Sequence, residues 1–401
     1  MKPNVLVVTT YYHPVVGGVE IHARQLVRYL HTHGFGVEVV TKRVNPHDAR
    51  RGLIDAVPVR RVSPAGERRG SGKWLMLPAL AHRLFKRRAR YDVIVCVDYR
   101  GIGVAAMTVG GLLGKPVIAQ GEVAGVLAGP EPDSSSGLPV ESPLQRLMKA
   151  PVRAIYRRAD AIVCIGRDLE REALRAGVER ERVVYLPHGV DLTYFRPPEP
   201  GERDELRREF GWPLDRPIVL FVGRLSREKG VGDLIEAWRI AERGDAMLVL
   251  VGPDMVGHPW DAGVAARAFV QANGLADSVR FEGGVTDPSP FYRAADVFVQ
   301  PSHFEALGNT ALEAMASGLP VVTSGVGGLA DFCTDGHSAL LHRARSPESL
   351  ADALTRILHD PALRHRLAAG GRSIVEARFE VNALMARYAT LIEAVAAARW
   401  R

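Results

Sequence analysis

The feature that most constrains this chain is an alternation: short apolar runs of strand length, each followed by a segment with helical periodicity, repeated almost from end to end. VLVVTT opens the series, and VEVV, DVIVCVD, PVIAQ and ADAIVCIG continue it, separated by amphipathic or small-residue segments. Runs this short and this apolar suit strands buried on both faces, and parallel strands need a crossover helix between them. After Pro197–Gly201 the pattern restarts with PIVLFV, AMLVLV, SVRFEGGV, DVFVQ and LPVVTS. Two doubly wound, Rossmann-like α/β domains are expected, over residues 1–197 and 198–375, with a C-terminal helix at about 376–401 packing back on the first. A length of 401 residues also exceeds what one hydrophobic core ordinarily serves.

Charge is divided unevenly. Residues 1–198 carry 30 Lys+Arg against 18 Asp+Glu, a net +12, and the remainder carries 22 against 27, a net −5, which gives the overall +7. LPALAHRLFKRRAR (77–90) reads as a basic amphipathic helix with Leu77, Leu80, Ala81, Leu84 and Phe85 on its apolar side. Such a helix suits an anionic membrane surface, or an ordinary core contact with a solvated basic back. No run approaches the ~18 apolar residues of a membrane span. Met1–Thr10 enters a strand without a leader pattern, so a cytoplasmic protein is expected, peripheral on the inner face of the membrane. Cys96, Cys164 and Cys333 sit in or beside apolar segments without metal-ligand spacing and read as buried reduced thiols.

Chemistry concentrates in PSHFEALGNTALEAMASGLP (301–320). VFVQ before it is a strand, Gly308 a turn, and Leu312, Met315 and Leu319 recur at helical spacing after it. A helix starting near Asn309 and Thr310 offers free N–H groups to an anion. Glu305 in the loop and Glu313 one turn into the helix can accept hydrogen bonds from sugar and ribose hydroxyls; alone, they would read as two solvated carboxylates. In VGRLSREKG, Arg224 and Lys229 follow a strand and suit a diphosphate. Ligands of open parallel sheets collect beyond the carboxyl ends of the strands. There the first half carries Gly17 and Gly18, Gln120 and Glu122, and a Gly/Pro/Ser-rich loop, 125–143, that reads as a substrate-side flap.

GGVEIHARQLVRYL, LPHGVDLTYFRP, VGRLSREKGVGDLIEAW, VRFEGGV and FEALGNTALEAMASGLPVVTS together resemble the retaining glycosyltransferases of family 4, the E-x7-E type with the GT-B fold of two domains facing across a cleft. The resemblance spans nearly the whole chain and is closest over 186–341. It implies a UDP- or GDP-linked nucleotide sugar as donor. Arg224 and Lys229 would hold its pyrophosphate, Glu305 the sugar hydroxyls, Glu313 the ribose, and the amides of Leu307, Gly308, Asn309 and Thr310 the sugar or diphosphate. Gly17 and Gly18 would cover the phosphate from the first domain. No metal or other cofactor is implied, because cationic side chains and helix N-termini take that role. The acceptor would be a carbohydrate, a lipid-linked or a small molecule, bound by loops at 43–73 and 120–143; no nucleic-acid partner is expected.

One position departs from the pattern. Where many members carry a histidine near the donor sugar, this chain has Glu122, which could bind a sugar hydroxyl, orient the acceptor or simply sit on a loop. The competing readings are a nucleotide-sugar epimerase or phosphorylase on the same architecture, and a non-catalytic nucleotide-sugar-binding subunit. No candidate for a phosphorylase's pyridoxal-phosphate lysine stands out.

Overall fold

Fourteen strands and fourteen helices appear in a computed structural model that describes residues 2–15, 17–66, 72–129 and 141–398. They group into two units, Met1–Gly189 with Asn382–Arg401, and Val190–Val381.

In the first unit the strands are β1 (Asn4–Thr9), β2 (Gly36–Lys42), β3 (Arg51–Ile54), β4 (Val57–Val62), β5 (Val93–Val97), β6 (Val117–Gly121), β7 (Ala161–Cys164) and β8 (Val183–Tyr185). They form one sheet in the order β3-β4-β2-β1-β5-β6-β7-β8, parallel except for the antiparallel β3–β4 pair. The order reverses at β1, the doubly wound topology. The intervening helices are α1 (Gly18–Thr32), α2 (Gly72–Leu75), α3 (Leu77–Lys86), α4 (Ile102–Leu113), α5 (Pro143–Tyr156) and α6 (Arg167–Arg175). Strand β5 is buried along its whole length, as its unbroken VIVCV run requires. A Ser142–Gln145 capping box starts α5.

The second unit holds β9 (Ile218–Val222), β10 (Met247–Val251), β11 (Val279–Gly283), β12 (Val297–Gln300), β13 (Val321–Thr323) and β14 (Leu340–Leu341). Its all-parallel sheet runs β11-β10-β9-β12-β13-β14, with the switch between β9 and β12. Its helices are α7 (Glu202–Phe210), α8 (Val231–Ile240), α9 (Gly263–Ala272), α10 (Ser289–Ala294), α11 (Asn309–Ala316), α12 (Pro347–His359) and α13 (Pro361–Arg378). Helix α14 (Val381–Ala398) closes the chain and, from Asn382, groups with the first unit. Trp238, Phe221 and Leu250 centre the second unit's core.

Several expectations shift. The division falls at Gly189–Val190, ahead of the expected Pro197–Gly201 linker. Val190 donates its N–H to Phe379 O and accepts from Val381 N, and Gly318 packs on Pro197, so 190–197 is built into the second unit. The region 43–73, expected as an acceptor-side loop, holds the β3–β4 hairpin, turned at Asp55 and Ala56, which adopt the left-handed conformation without a glycine. Phe85 is half exposed under the Arg88 guanidinium, leaving Leu80 and Leu84 as the buried side of α3. Helix α11 stops at Ala316, so Leu319 is a buried residue beyond it. Helices α12, α13 and α14 follow the last strand: Pro361 breaks α12 from α13, and Asp360 caps the latter by accepting from Leu363 N.

Candidate active site

Strand β12 delivers Gln300, Ser302 and Glu305 to the carboxyl edge of the second sheet, and all three are buried. A single carboxylate oxygen, Glu305 Oε1, accepts from Gln300 Nε2 at 2.5 Å, Ser302 Oγ at 2.8 Å and Lys229 Nζ at 2.6 Å. Among the described residues nothing donates to Oε2. Glu305 is therefore an oriented acceptor with one oxygen spent inside the protein.

Lys229 ends a 3-10 turn, Arg227–Lys229, that follows β9. Next to it Gly230 has φ 70°, and a Cβ there would lie 2.1 Å from Pro301 O. Only glycine permits both the conformation and the approach. That contact presses the turn against the Glu305 loop. A second tie runs beside it: His303 Nε2 lies 2.8 Å from Asp233 Oδ2 on α8, and His303 N donates to Glu228 O at 2.8 Å. The Glu228 carboxylate pairs with Arg224, which is half exposed. The two cations predicted to hold a diphosphate are thus each held by a carboxylate.

Beyond Glu305 the chain turns at Gly308, where φ is 98° and a Cβ would meet Leu329 at 2.5 Å. Gly328 lies under the same loop, its N–H donating to Glu305 O at 3.0 Å. The amides of Leu307, Gly308 and Thr310 find no backbone acceptor among the described residues, the state expected of an anion-binding helix start. Leu307 itself is a core side chain and Asn309 opens α11. One turn on, Glu313 Oε2 accepts from Tyr292 OH at 2.8 Å. The residue keeps some contact with solvent, but its carboxyl is enclosed by protein. Burial raises its pKa to about 7, against the opposing hydrogen bond from Tyr292.

In the first unit Gly18 begins α1, and Gly17 caps it in extended geometry, φ −177°. A Cβ on Gly17 would meet only the flexible end of Glu20, so the backbone there does not demand glycine. Glu122, just past β6, is buried rather than a surface loop residue. Its Oε1 accepts from Gln120 Nε2 at 2.5 Å and lies 3.3 Å from His188 Nε2. Gln120 Oε1 is 3.1 Å from His22 Nε2, and the His22 and His188 rings stack 4.0 Å apart. Burial, with His188 alongside, holds His22 well below its ordinary pKa despite the Gln120 bond, and so neutral. The loop beyond is pinned: Glu172 accepts from the amides of Gly125, Leu127 and Ala128 at 2.6, 2.6 and 2.8 Å. The middle of the expected flap, 130–140, lies outside the described residues, as do 67–71 of the other acceptor-side loop and 399–401 of the last helix.

The geometry thus joins Lys229 to Glu305, and adds Gln300, Ser302, Glu228, Asp233, His303 and Tyr292, which sequence reasoning missed. Gln300 and Ser302 were detectable as polar residues closing an apolar strand; the others depend on contacts with no sequence spacing.

Two family models match the chain: one described as Glycosyltransferase Family 4 over residues 16–194, and one described as Glycosyl transferases group 1 over 202–374. A D-inositol 3-phosphate glycosyltransferase of Thermomonospora curvata is 38% identical over 206 residues, 48% of this chain and 47% of that protein. An alpha-maltose-1-phosphate synthase of Mycolicibacterium smegmatis is 33% identical over 229 residues, 55% of this chain and 59% of that one. The chain spans about half the length of the curated relatives it matches. Sucrose-phosphate synthase from Thermosynechococcus elongatus has a similar structure, with TM-score 0.80, 27% identity and coverage of 98% of this chain and 100% of that one.

Proposed function

Because the chain belongs to glycosyltransferase family 4, with the GT-B fold, we propose that it transfers a hexosyl group from a nucleoside-diphosphate sugar to an acceptor hydroxyl, with retention and without a metal. The observation that carries this reading is the Lys229–Glu305 pair beside the amides of Leu307, Gly308 and Thr310, which find no backbone acceptor among the described residues. In this mechanism Arg224 and Lys229 exchange carboxylate partners for the donor diphosphate and neutralise the charge that builds as the glycosidic C–O bond opens. The amides of Leu307–Thr310 share that charge. Glu305 Oε2 accepts from a donor-sugar hydroxyl and Glu313 from the ribose diol. The acceptor oxygen attacks from the face the diphosphate leaves, and its proton passes to a phosphate oxygen, so no carboxylate nucleophile is required.

Glu122 is the first unit's candidate for orienting an acceptor hydroxyl, since Gln120 fixes one of its oxygens. The relatives' names point to phosphorylated polyols and sugars as one acceptor class to test; a lipid-linked acceptor is the other, consistent with a peripheral position on the inner face of a membrane. The experiment is a panel of UDP- and GDP-sugars with candidate acceptors, scored for nucleoside diphosphate release and for the anomeric configuration of the product by NMR. Transfer with retention that persists in EDTA and is lost in Lys229→Ala supports the proposal. Donor binding without turnover under every acceptor favours a binding subunit instead.

A further inference from the structure

We propose that Gln120 and His22 are positioning residues for the transfer step: they hold the Glu122 carboxylate so that its second oxygen meets a hydroxyl of the acceptor substrate. This rests on the acceptor-side role proposed above for Glu122. Gln120 lies near the carboxyl end of β6 and Glu122 just beyond it, at the sheet edge where ligands of parallel sheets collect. His22 is on the buried side of α1, and His188 follows β8. All four side chains are buried. Enclosing four polar groups where apolar ones would pack gains the fold little, so their arrangement calls for another reason.

The hydrogen bonds admit one arrangement. A carboxylate oxygen only accepts, so the group 2.5 Å from Glu122 Oε1 is the Gln120 amide nitrogen, and the amide oxygen faces His22. That oxygen also only accepts, which fixes the His22 proton on Nε2, 3.1 Å away. Burial, with His188 alongside, keeps His22 neutral, so Nδ1 carries no proton, and it has no partner among the described residues. The second amide hydrogen of Gln120 has His188 Nε2 as its acceptor at 3.2 Å. Turning the amide over would set oxygen against oxygen beside Glu122 and leave the His22 proton without an acceptor.

Glu122 Oε1 is thus consumed inside the protein, and no described residue donates to Oε2. The direction of that open oxygen is set by an amide whose own orientation is set by His22 Nε2–H. Without that proton the amide is free to turn, and the carboxylate with it. Tyr388 supplies an internal comparison. Its ring centroid is 6.1 Å from that of His22, yet its buried hydroxyl has no partner among the described residues, so it shares this core without joining the chain of bonds.

The test compares variants of the full chain with UDP- and GDP-sugars as donors, and with glucose 6-phosphate and octyl glucoside as acceptor probes. His22→Leu and Gln120→Leu should raise the acceptor KM about tenfold or more and leave the donor KM within about twofold. His22→Gln, whose amide nitrogen takes the place of Nε2–H, should restore the acceptor KM. A histidine that only fills the core would move the melting midpoint without this split. Tyr388→Phe should change neither KM. Imidazole 15N NMR of the wild type should show His22 as the Nε2–H tautomer. An Nδ1–H tautomer, an unchanged acceptor KM in both leucine variants, or a loss that His22→Gln fails to restore overturns the positioning chain. Unchanged turnover in Glu122→Ala overturns the role of Glu122 itself, and a wild type that turns over no pair overturns the transferase reading, so the three failures are distinct.

Discussion

Glu313→Gln should make this protein more stable and a weaker donor binder at once, each in a pH-dependent way. The folded carboxyl holds its proton to about pH 7, against an ordinary value of 4.5. Between those limits the unfolded chain binds fewer protons than the folded one, so stability falls as pH rises through the window and the full penalty applies above about 7. At about 1.4 kcal/mol per unit, the penalty has a ceiling of about 3 kcal/mol. The residue's remaining contact with solvent places the expected gain at about 1–3 kcal/mol at pH 8 and near zero at pH 4. Glutamine keeps an oxygen for Tyr292 OH, so the gain is not offset by a lost partner. Urea unfolding at the two pH values reads it. Binding runs the opposite way. A ribose diol donates to the ionised form, so donor affinity should fall by up to about tenfold per unit below pH 7, with proton release on binding measurable by calorimetry in two buffers. The glutamine variant should bind weakly at every pH and release no proton. A variant with unchanged stability at pH 8, or with the wild-type pH dependence of affinity, would refute the assignment of Glu313 as a strained acceptor.

Lys229→Ala should lower transfer by about 10²–10³-fold, and stability by only about 1–2 kcal/mol, because Gln300 and Ser302 still satisfy Glu305 Oε1; product release and thermal melts separate the two effects. Gly230→Ala, forced into positive φ and against Pro301 O, should cost about 2 kcal/mol or more and speed hydrogen exchange in the 301–305 loop. His303→Leu should raise the donor KM several-fold, and adding Asp233→Ala should change little further, since each removes the same tie; additive losses would disprove the pairing. Glu172→Ala leaves three amides of 125–128 without their acceptor, so limited proteolysis should cut that loop faster than in the wild type.

Much of this was legible before any coordinates. Unbroken apolar runs such as VIVCV announce two-sided burial, and their regular spacing with helices leaves few topologies. The E-x7-E segment was legible because a strand end, a glycine turn and a helix start place Glu305 and Glu313 by local geometry alone. What escaped was non-local or lacked a residue signature. Asp55–Ala56 turns a hairpin without the glycine or asparagine that flags one. Pro197–Gly201 has a linker's composition, but backbone pairing between Val190 and Glu380, distant in sequence, sets the division. The surroundings of Glu122 are drawn from His22, Gln120 and His188, which share no periodicity, so its burial was invisible.

The three bonds on Glu305 fix the orientation of a side chain that would otherwise be flexible. With Oε1 tied to three donors from the strand end, the loop and the neighbouring turn, the carboxylate plane cannot swivel to suit what arrives. Its second oxygen offers acceptor directions that are set before any sugar binds. In the donor role proposed for Glu305, a hydroxyl on the matching face of the ring would meet that oxygen, and its epimer would point the hydrogen elsewhere and leave a buried acceptor unanswered. On that proposal the interior of the second unit, through Gln300 and Ser302, would contribute to stereochemical choice without touching the sugar.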